Sequence, residues 1–307
     1  MSGVEIVQVF AYVAVALFLV GVARRAVKHA RAQLALRWEL YPMPHEVGKE
    51  HGGSYFEELN WWEKPRRINP FGQLKIMVPE ILLLVALWEH RRKLWLVSFP
   101  FHAGIYLTIL FLLLLLVGGI TQAAGASVTA DSNAAALHYF TIVVGAVGLV
   151  STAVGALGLL AMRLTDPGLR LYAVPADYFN LGFILTMAVI ALISWLAVDQ
   201  SFTEARAYAQ GLVSFEQPAD TSPLIVTQSL LLSLFLIYLP FTHMTHFVLK
   251  FFTYHFVRWD DTPNLRGGAY ERIIAEYLQR PVAWSAPHIQ QGKSWAEVAT
   301  SMPEVEE

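Results

Sequence analysis

Residues 96–120, LVSFPFHAGIYLTILFLLLLLVGGI, contain one histidine and no Asp, Glu, Lys or Arg. An apolar run of about 20 residues is long enough to cross the hydrocarbon layer of a bilayer as a helix. Four further stretches are comparably apolar, at 4–22, 137–162, 179–198 and 224–248. The sequence therefore predicts an all-α, polytopic membrane protein with a bundle of five transmembrane helices.

The composition of the 307-residue chain agrees with this fold and excludes several kinds of cofactor site. Hydrophobic residues make up 55% of the chain, more than is usual for a soluble domain, and they are concentrated in the five runs. Cysteine is absent. This excludes disulfides, thiolate zinc sites and iron–sulfur clusters held by this chain alone. Redox chemistry would then need an organic cofactor, a haem or a metal with N and O ligands.

The pattern divides the chain into four parts. Residues 1–23 form the first transmembrane helix, 24–95 a polar segment, 96–250 a four-helix membrane domain and 251–307 a polar tail. Within the polar segment, Leu74 to His90 has an apolar core that is too short to span a bilayer. It predicts an amphipathic helix at the membrane surface; a re-entrant or buried helix is the alternative.

The distribution of basic residues predicts the orientation. Of the 22 Lys and Arg residues, all except Arg206 (22 − 1 = 21) fall on the side of the 24–95 segment, the loop between the third and fourth helices, and the tail. Cytoplasmic loops of membrane proteins are enriched in Lys and Arg. We expect the N-terminus outside, and the C-terminus and the amphipathic helix in the cytoplasm.

The last four spans contain no Asp, Glu, Lys or Arg, so the histidines inside them call for a functional explanation. His102 and His246 lie near the predicted cytoplasmic ends of the second and fifth helices, at matching depth. Two imidazoles so placed could ligate a haem iron from both sides; a hydrogen bond to a carbonyl is the alternative for each. Six histidines in polar segments or at membrane edges are expected to be solvated: His29, His45, His51, His90, His255 and His288.

Two motifs around this pair resemble the haem-ligand motifs of the gamma subunit of respiratory nitrate reductase. They read Phe101-His102-Ala103-Gly104 and Pro240-Phe241-Thr242-His243-Met244-Thr245-His246. The resemblance covers about 96–250 and the first span. It implies one haem b with His102 and His246 as iron ligands, and a cofactor-binding region that includes His243, near the haem propionates or the inner edge, and Gly104.

The chain departs from that family in two places. Leu112 and Gln228 stand where members with two haems have their outer ligands. The helix within 74–90 looks more like the cytochromes b that accompany heterodisulfide reductase-like iron–sulfur proteins, in complexes associated with dissimilatory sulfite reductase and related menaquinone-linked complexes. This branch is favoured over nitrate reductase itself.

His138 opens the third helix at the predicted outer side, with Asp131 nearby in sequence. Three interpretations stay open. It could accept a proton from quinol with Asp131 as a relay, ligate a second haem, or cap a helix at the interface.

The function that the resemblance implies is electron transfer between menaquinone and a cytoplasmic iron–sulfur subunit through haem b. The chain would be the quinone-interacting subunit of a hetero-oligomeric oxidoreductase in the cytoplasmic membrane of a prokaryote, with no nucleic-acid partner. Candidates for its docking surface are Trp61, Trp62, Arg66, Arg67, Arg91 and Arg92; an aromatic belt at the lipid interface is the alternative for the two tryptophans. A true nitrate reductase gamma subunit, a haem-free quinone-binding anchor and a transporter are the alternatives.

Overall fold

The computed structural model describes residues 2–31, 42–49, 52–216 and 221–301. Helices are its only extended regular elements, with no strand in these ranges. Five are long and apolar enough to cross a membrane: Gly3–Ala30, Arg92–Ala123, Ala135–Thr165, Pro175–Ala197 and Pro223–Phe241. The predicted all-α, five-span architecture is confirmed.

The helices are numbered along the chain. Helix α1 is Gly3–Ala30, α2 Pro70–Leu82, α3 Val85–His90, α4 Arg92–Ala123, α5 Ala135–Thr165, α6 Pro167–Tyr172, α7 Pro175–Ala197, α8 Thr203–Ser214, α9 Pro223–Tyr238, α10 His246–Thr253, α11 Ala269–Leu278 and α12 Trp295–Thr300.

Each of the five spans packs mainly against its neighbours in the order α4, α5, α7, α9 and α1. Helix α5 lies between α4 and α7, α9 contacts α7, and α1 packs against α9 and α10. Helix α8 packs along α4. Among the described residues, α4 does not pack extensively against α9 or α10. Helix α4 and the C-terminal end of the last span therefore approach each other through side chains and do not pack closely along their backbones.

The structure corrects three sequence predictions. The helix expected within 74–90 is two helices, because Leu84 adopts a left-handed conformation with φ 54° between α2 and α3. The fifth span was expected to stay helical to residue 248, but α9 ends at Tyr238, next to Pro240, which has no backbone N–H to donate. The loop between the fourth and fifth spans contains α8, which the sequence analysis did not predict.

Segments outside the spans are also folded against each other. His45 is buried and its Nε2 lies 2.8 Å from Oδ2 of Asp261, which also pairs with Arg66. Gln73 bridges His45 and His255 through contacts of 3.0 and 3.1 Å. The expectation that His45 is solvated is therefore wrong, because a carboxylate and an amide replace its water. His51 lies outside the described residues.

Candidate functional site

His102 is held by the regular part of α4. Its Nδ1 lies 2.8 Å from the backbone oxygen of Ser98, one turn earlier. A carbonyl only accepts hydrogen bonds, so Nδ1 carries the proton and Nε2 keeps its lone pair. This is the arrangement in which a histidine ligates a metal, because a hydrogen bond at the other ring nitrogen fixes the tautomer and the ring orientation.

His246 is positioned by a break in the last span. After α9 the chain makes two 3₁₀ turns, Leu239–Phe241 and His243–Thr245, before α10 begins at His246. Helix α1 supports this break at two points. A Cβ on Gly21 would lie 2.6 Å from Cβ of Pro240, and Arg25 donates from Nη1 to Oγ1 of Thr245 at 2.7 Å.

The structure brings His102 and His246 together. Their ring centres are 6.3 Å apart and the ring planes differ by 70°. Two metal–imidazole bonds of about 2 Å, plus about 1 Å from each nitrogen to its ring centre, require about 6 Å. His102 is partly buried and His246 is exposed, so neither ring is sealed by side chains. The two residues therefore fit bis-histidine ligation of a haem iron.

A charged pair lies beside the two histidines. Lys250 acts electrostatically on both imidazoles, and its Nζ lies 3.3 Å from Oε1 of Glu80 on α2. The next residue of α2, Ile81, accepts a hydrogen bond from the Tyr106 hydroxyl at 2.9 Å. Helix α2 is thus fastened to α4 one turn beyond His102 and to α10 one turn beyond His246.

His243 points to the fourth span. Its Nε2 lies 3.2 Å from Oδ1 of Asp177 and 3.5 Å from Nδ2 of Asn180, and its side chain is largely exposed. Asp177 also pairs with Arg163 at 3.1 Å. His243 therefore links α7 to the break in the last span, at the edge of the bundle; a role toward haem propionates stays a prediction.

Gly104 lies at the contact between α4 and α5. A Cβ on Gly104 would come within 2.3 Å of the Thr152 backbone nitrogen. On α5, Gly155 approaches the Phe101 backbone and Gly148 the backbone of Leu107 and Thr108 in the same way. These glycines let two helices approach closely. Gly104 thus supports the helix that carries His102 and does not face His246.

A second polar group lies at the opposite end of α4. His138 is buried in the first turn of α5, and its Nδ1 has no hydrogen-bond partner among the described residues. The guanidinium of Arg206, on α8, acts electrostatically on it. The sequence predicts only that Arg206 lies in the loop between the fourth and fifth spans. The one feature that could have pointed to a buried role is that no other Lys or Arg lies on that side. Asp131 is exposed nearby in the chain.

Leu112 and Gln228 line one small cavity of about 60 Å³ between α4, α5, α7, α8 and α9. Gln228 is held there by a hydrogen bond of 3.4 Å to the Ile190 oxygen. In two-haem members of the nitrate reductase gamma family these two positions carry the outer haem ligands. In this chain they line the same cavity. Side chains fill most of that region, and the remaining space holds only a few water molecules.

The family model described as nitrate reductase gamma subunit matches residues 86–260. The chain belongs to the nitrate reductase gamma subunit family. The match begins within α3 and includes both motifs around His102 and His246 and the four later spans. No curated protein matches the chain. Membership in this family, together with five apolar spans, identifies a multi-pass membrane protein of the electron-transfer type that works as a subunit of a larger complex.

Proposed function

We propose that the chain is a membrane cytochrome b that passes electrons between the menaquinone pool and a cytoplasmic iron–sulfur protein of the heterodisulfide reductase type. The observation that carries the proposal is the 6.3 Å separation of the His102 and His246 rings. A bound haem b would supply one-electron redox chemistry at this position. Family membership supports the same assignment.

The chain's own residues would set the properties of that haem. His102 and His246 supply the axial nitrogens, with the His102 tautomer fixed by Ser98. Lys250 and Glu80 set the local charge. At the other end, His138 would accept a proton from quinol and Asp131 would relay it outward. Each quinol oxidised releases two electrons and two protons, so the electrons leave through the haem singly.

The histidine pair lies at the end of the bundle that carries the basic segments, which the positive-inside rule assigns to the cytoplasm. The N-terminus would then face outward. Apolar side chains are exposed on the segment before α2 and at its start, including Leu59, Trp62 and Phe71. Exposed aromatic residues together with Arg are typical of protein–protein interfaces. They support docking of a partner there; residues 32–41 and 50–51 of this segment lie outside the described residues.

The decisive experiment is a dithionite-reduced minus oxidised visible spectrum of the purified protein, with haem quantified per chain. A low-spin b-type signal is expected in the wild type. It should be lost in His102→Ala and in His246→Ala, and retained in His90→Ala, which changes an exposed histidine at the end of α3. A folded wild-type protein without haem would contradict the proposal and favour a quinone-binding anchor.

A further inference from the structure

Arg206 is the one basic residue at the His138 end of the bundle, and its side chain is completely buried, with 0% exposed. Helix α8 packs along α4 at two adjacent glycines. A Cβ on Gly118 would lie 2.7 Å from Cδ of Arg206, and one on Gly119 would lie 2.7 Å from the Gln210 nitrogen. The absence of side chains at these two glycines therefore leaves the space that the Arg206 side chain occupies at this end of the bundle.

This guanidinium is largely unpaired. Its Nη1 donates to the Val128 oxygen at 3.2 Å, but Nε and Nη2 have no partner among the described residues. The nearby Asp199 carboxylate accepts from the backbone nitrogens of Thr203 and Ala205, at 2.7 and 2.9 Å. Burial lowers the pKa of Arg206, since it disfavours the charged form. A buried guanidinium with two of its three nitrogens unpaired is costly, so the arrangement calls for a ligand.

Two further buried atoms at this end also lack partners. They are Nδ1 of His138 and Oε1 of Gln122, which lies one turn beyond Gly118 on α4. The unsatisfied groups thus include guanidinium donors, an amide oxygen that only accepts, and an imidazole nitrogen that can do either. A simple anion would satisfy the donors alone. A ligand with an oxygen that both accepts and donates hydrogen bonds would satisfy the guanidinium and one of these two acceptors.

We propose that Arg206 is a binding residue for the quinone head group: it donates from Nε and Nη2 to one ring oxygen, and in the reduced form the single hydrogen of the hydroxyl at that oxygen is donated to Nδ1 of His138. This proposal rests on the proposed function and deepens it, because it adds a charged donor to the site at which His138 takes the proton. The same guanidinium serves both redox forms, since quinone carbonyl and quinol hydroxyl oxygens each accept a hydrogen bond.

The test uses the haem-loaded protein in lipid nanodiscs and the fluorescent quinol analogue 2-heptyl-4-hydroxyquinoline N-oxide, whose quenching reports binding. Arg206→Gln is expected to weaken binding about tenfold or more, the range for losing a hydrogen bond to a charged group. Arg206→Lys should weaken it less. Arg170→Gln, which changes an exposed arginine of α6, should bind as the wild type does. Haem content and the reduced spectrum should be equal in all four.

A second measurement covers the case in which Arg206→Gln perturbs folding. Saturating analogue should raise the thermal midpoint of the wild type and leave that of Arg206→Met unchanged. Without analogue, Arg206→Met should melt no lower than the wild type, because it removes an unpaired buried charge.

The outcomes separate the two proposals. Wild-type binding by both Arg206→Gln and Arg206→Met would overturn the role of Arg206 and leave the cytochrome intact. A haem-loaded wild type that binds no analogue would overturn the site. Two haems per chain, one of them lost in Arg206→Gln, would mean that Arg206 holds a propionate, which also overturns this proposal. Absence of haem in the wild type would instead contradict the proposed function.

Discussion

Lys250 and Glu80 form an ion pair beside His102 and His246, so single residues there should tune the redox potential in opposite directions. A positive charge near a haem favours the reduced form, which carries one positive charge less. Removing that charge should lower the midpoint potential, and removing the carboxylate should raise it.

We therefore expect Lys250→Gln to lower the haem midpoint potential and Glu80→Gln to raise it, each by about 20–60 mV, as follows from a partly screened unit charge. Potentiometric titration of the visible spectrum measures both. Lys293→Gln, which changes a charge in the polar tail, is the control and should leave the potential unchanged. Shifts of the same sign in both test variants would contradict this account.

The sequence could predict these residues only in part. His102 and His246 were found because ionisable side chains inside apolar spans are rare and their depths matched. The partnership of Lys250 with Glu80 could not be predicted, because it joins residues 170 positions apart through the fold. Arg206 was missed because a basic residue in a loop between two spans is ordinarily solvated.

Helix contacts explain why α4 is a firm support for His102. Its glycine contacts with α5 leave no space for a methyl group at Gly104 or Gly155. By contrast, a Cβ on Gly182 of α7 would meet nothing within 4 Å. Glycines in two apolar spans are compatible either with close helix packing or with a groove, and the helix register seen in the structure shows close packing.

We expect Gly104→Ala and Gly155→Ala to destabilise the bundle by about 1–3 kcal/mol each through overpacking. Gly182→Ala should be neutral or slightly stabilising, because alanine is the better helix former. Thermal unfolding of the detergent-solubilised proteins, followed by haem absorbance and by circular dichroism, measures the effect. Equal midpoints for all three variants would contradict the close contact of α4 with α5.

Element boundaries were predicted less well than element number. The five apolar runs were long enough to be unambiguous. The end of α9 was not, because the apolar run continues through Pro240 while the backbone leaves the helix there. Leu84 gave no warning of a break, because leucine rarely adopts a positive φ.

At the scale of the molecule, the segment before α2 and the tail contact each other through buried polar side chains. Asp261 is buried against His45 and Arg66, so Asp261→Asn should loosen the contact between the segment before α2 and the tail, at a cost of about 3 kcal/mol. Limited proteolysis should cut these segments faster in the variant. Glu63→Gln, on an exposed residue, should be cut as the wild type is. Unchanged cleavage in Asp261→Asn would show that the network contributes little.

Haem stoichiometry is a property of the whole bundle. Because Leu112 and Gln228 face only a small cavity, we expect one haem per chain, and His138→Ala should retain it. The pyridine haemochrome assay against protein concentration measures the ratio. A ratio of two, reduced to one in His138→Ala, would assign His138 to a second haem instead.

Orientation can be tested cleanly because the chain contains no cysteine. We expect Ala126→Cys, in the exposed loop between α4 and α5, to react with a membrane-impermeant maleimide in intact cells. Ala275→Cys, exposed on α11, should react only after the membrane is opened. The reverse pattern would invert the assignment of the two sides.

The support that α1 gives to the His246 segment has a consequence for biosynthesis. Gly21 and Arg25 contact Pro240 and Thr245, more than 200 residues later in the chain. Helix α1 therefore enters the bilayer long before the last span that it contacts, while α4, α5 and α7 can assemble as they emerge. The His102 side of the candidate site exists before the His246 side. A haem bound between the two histidines would therefore enter only after the last span has been inserted.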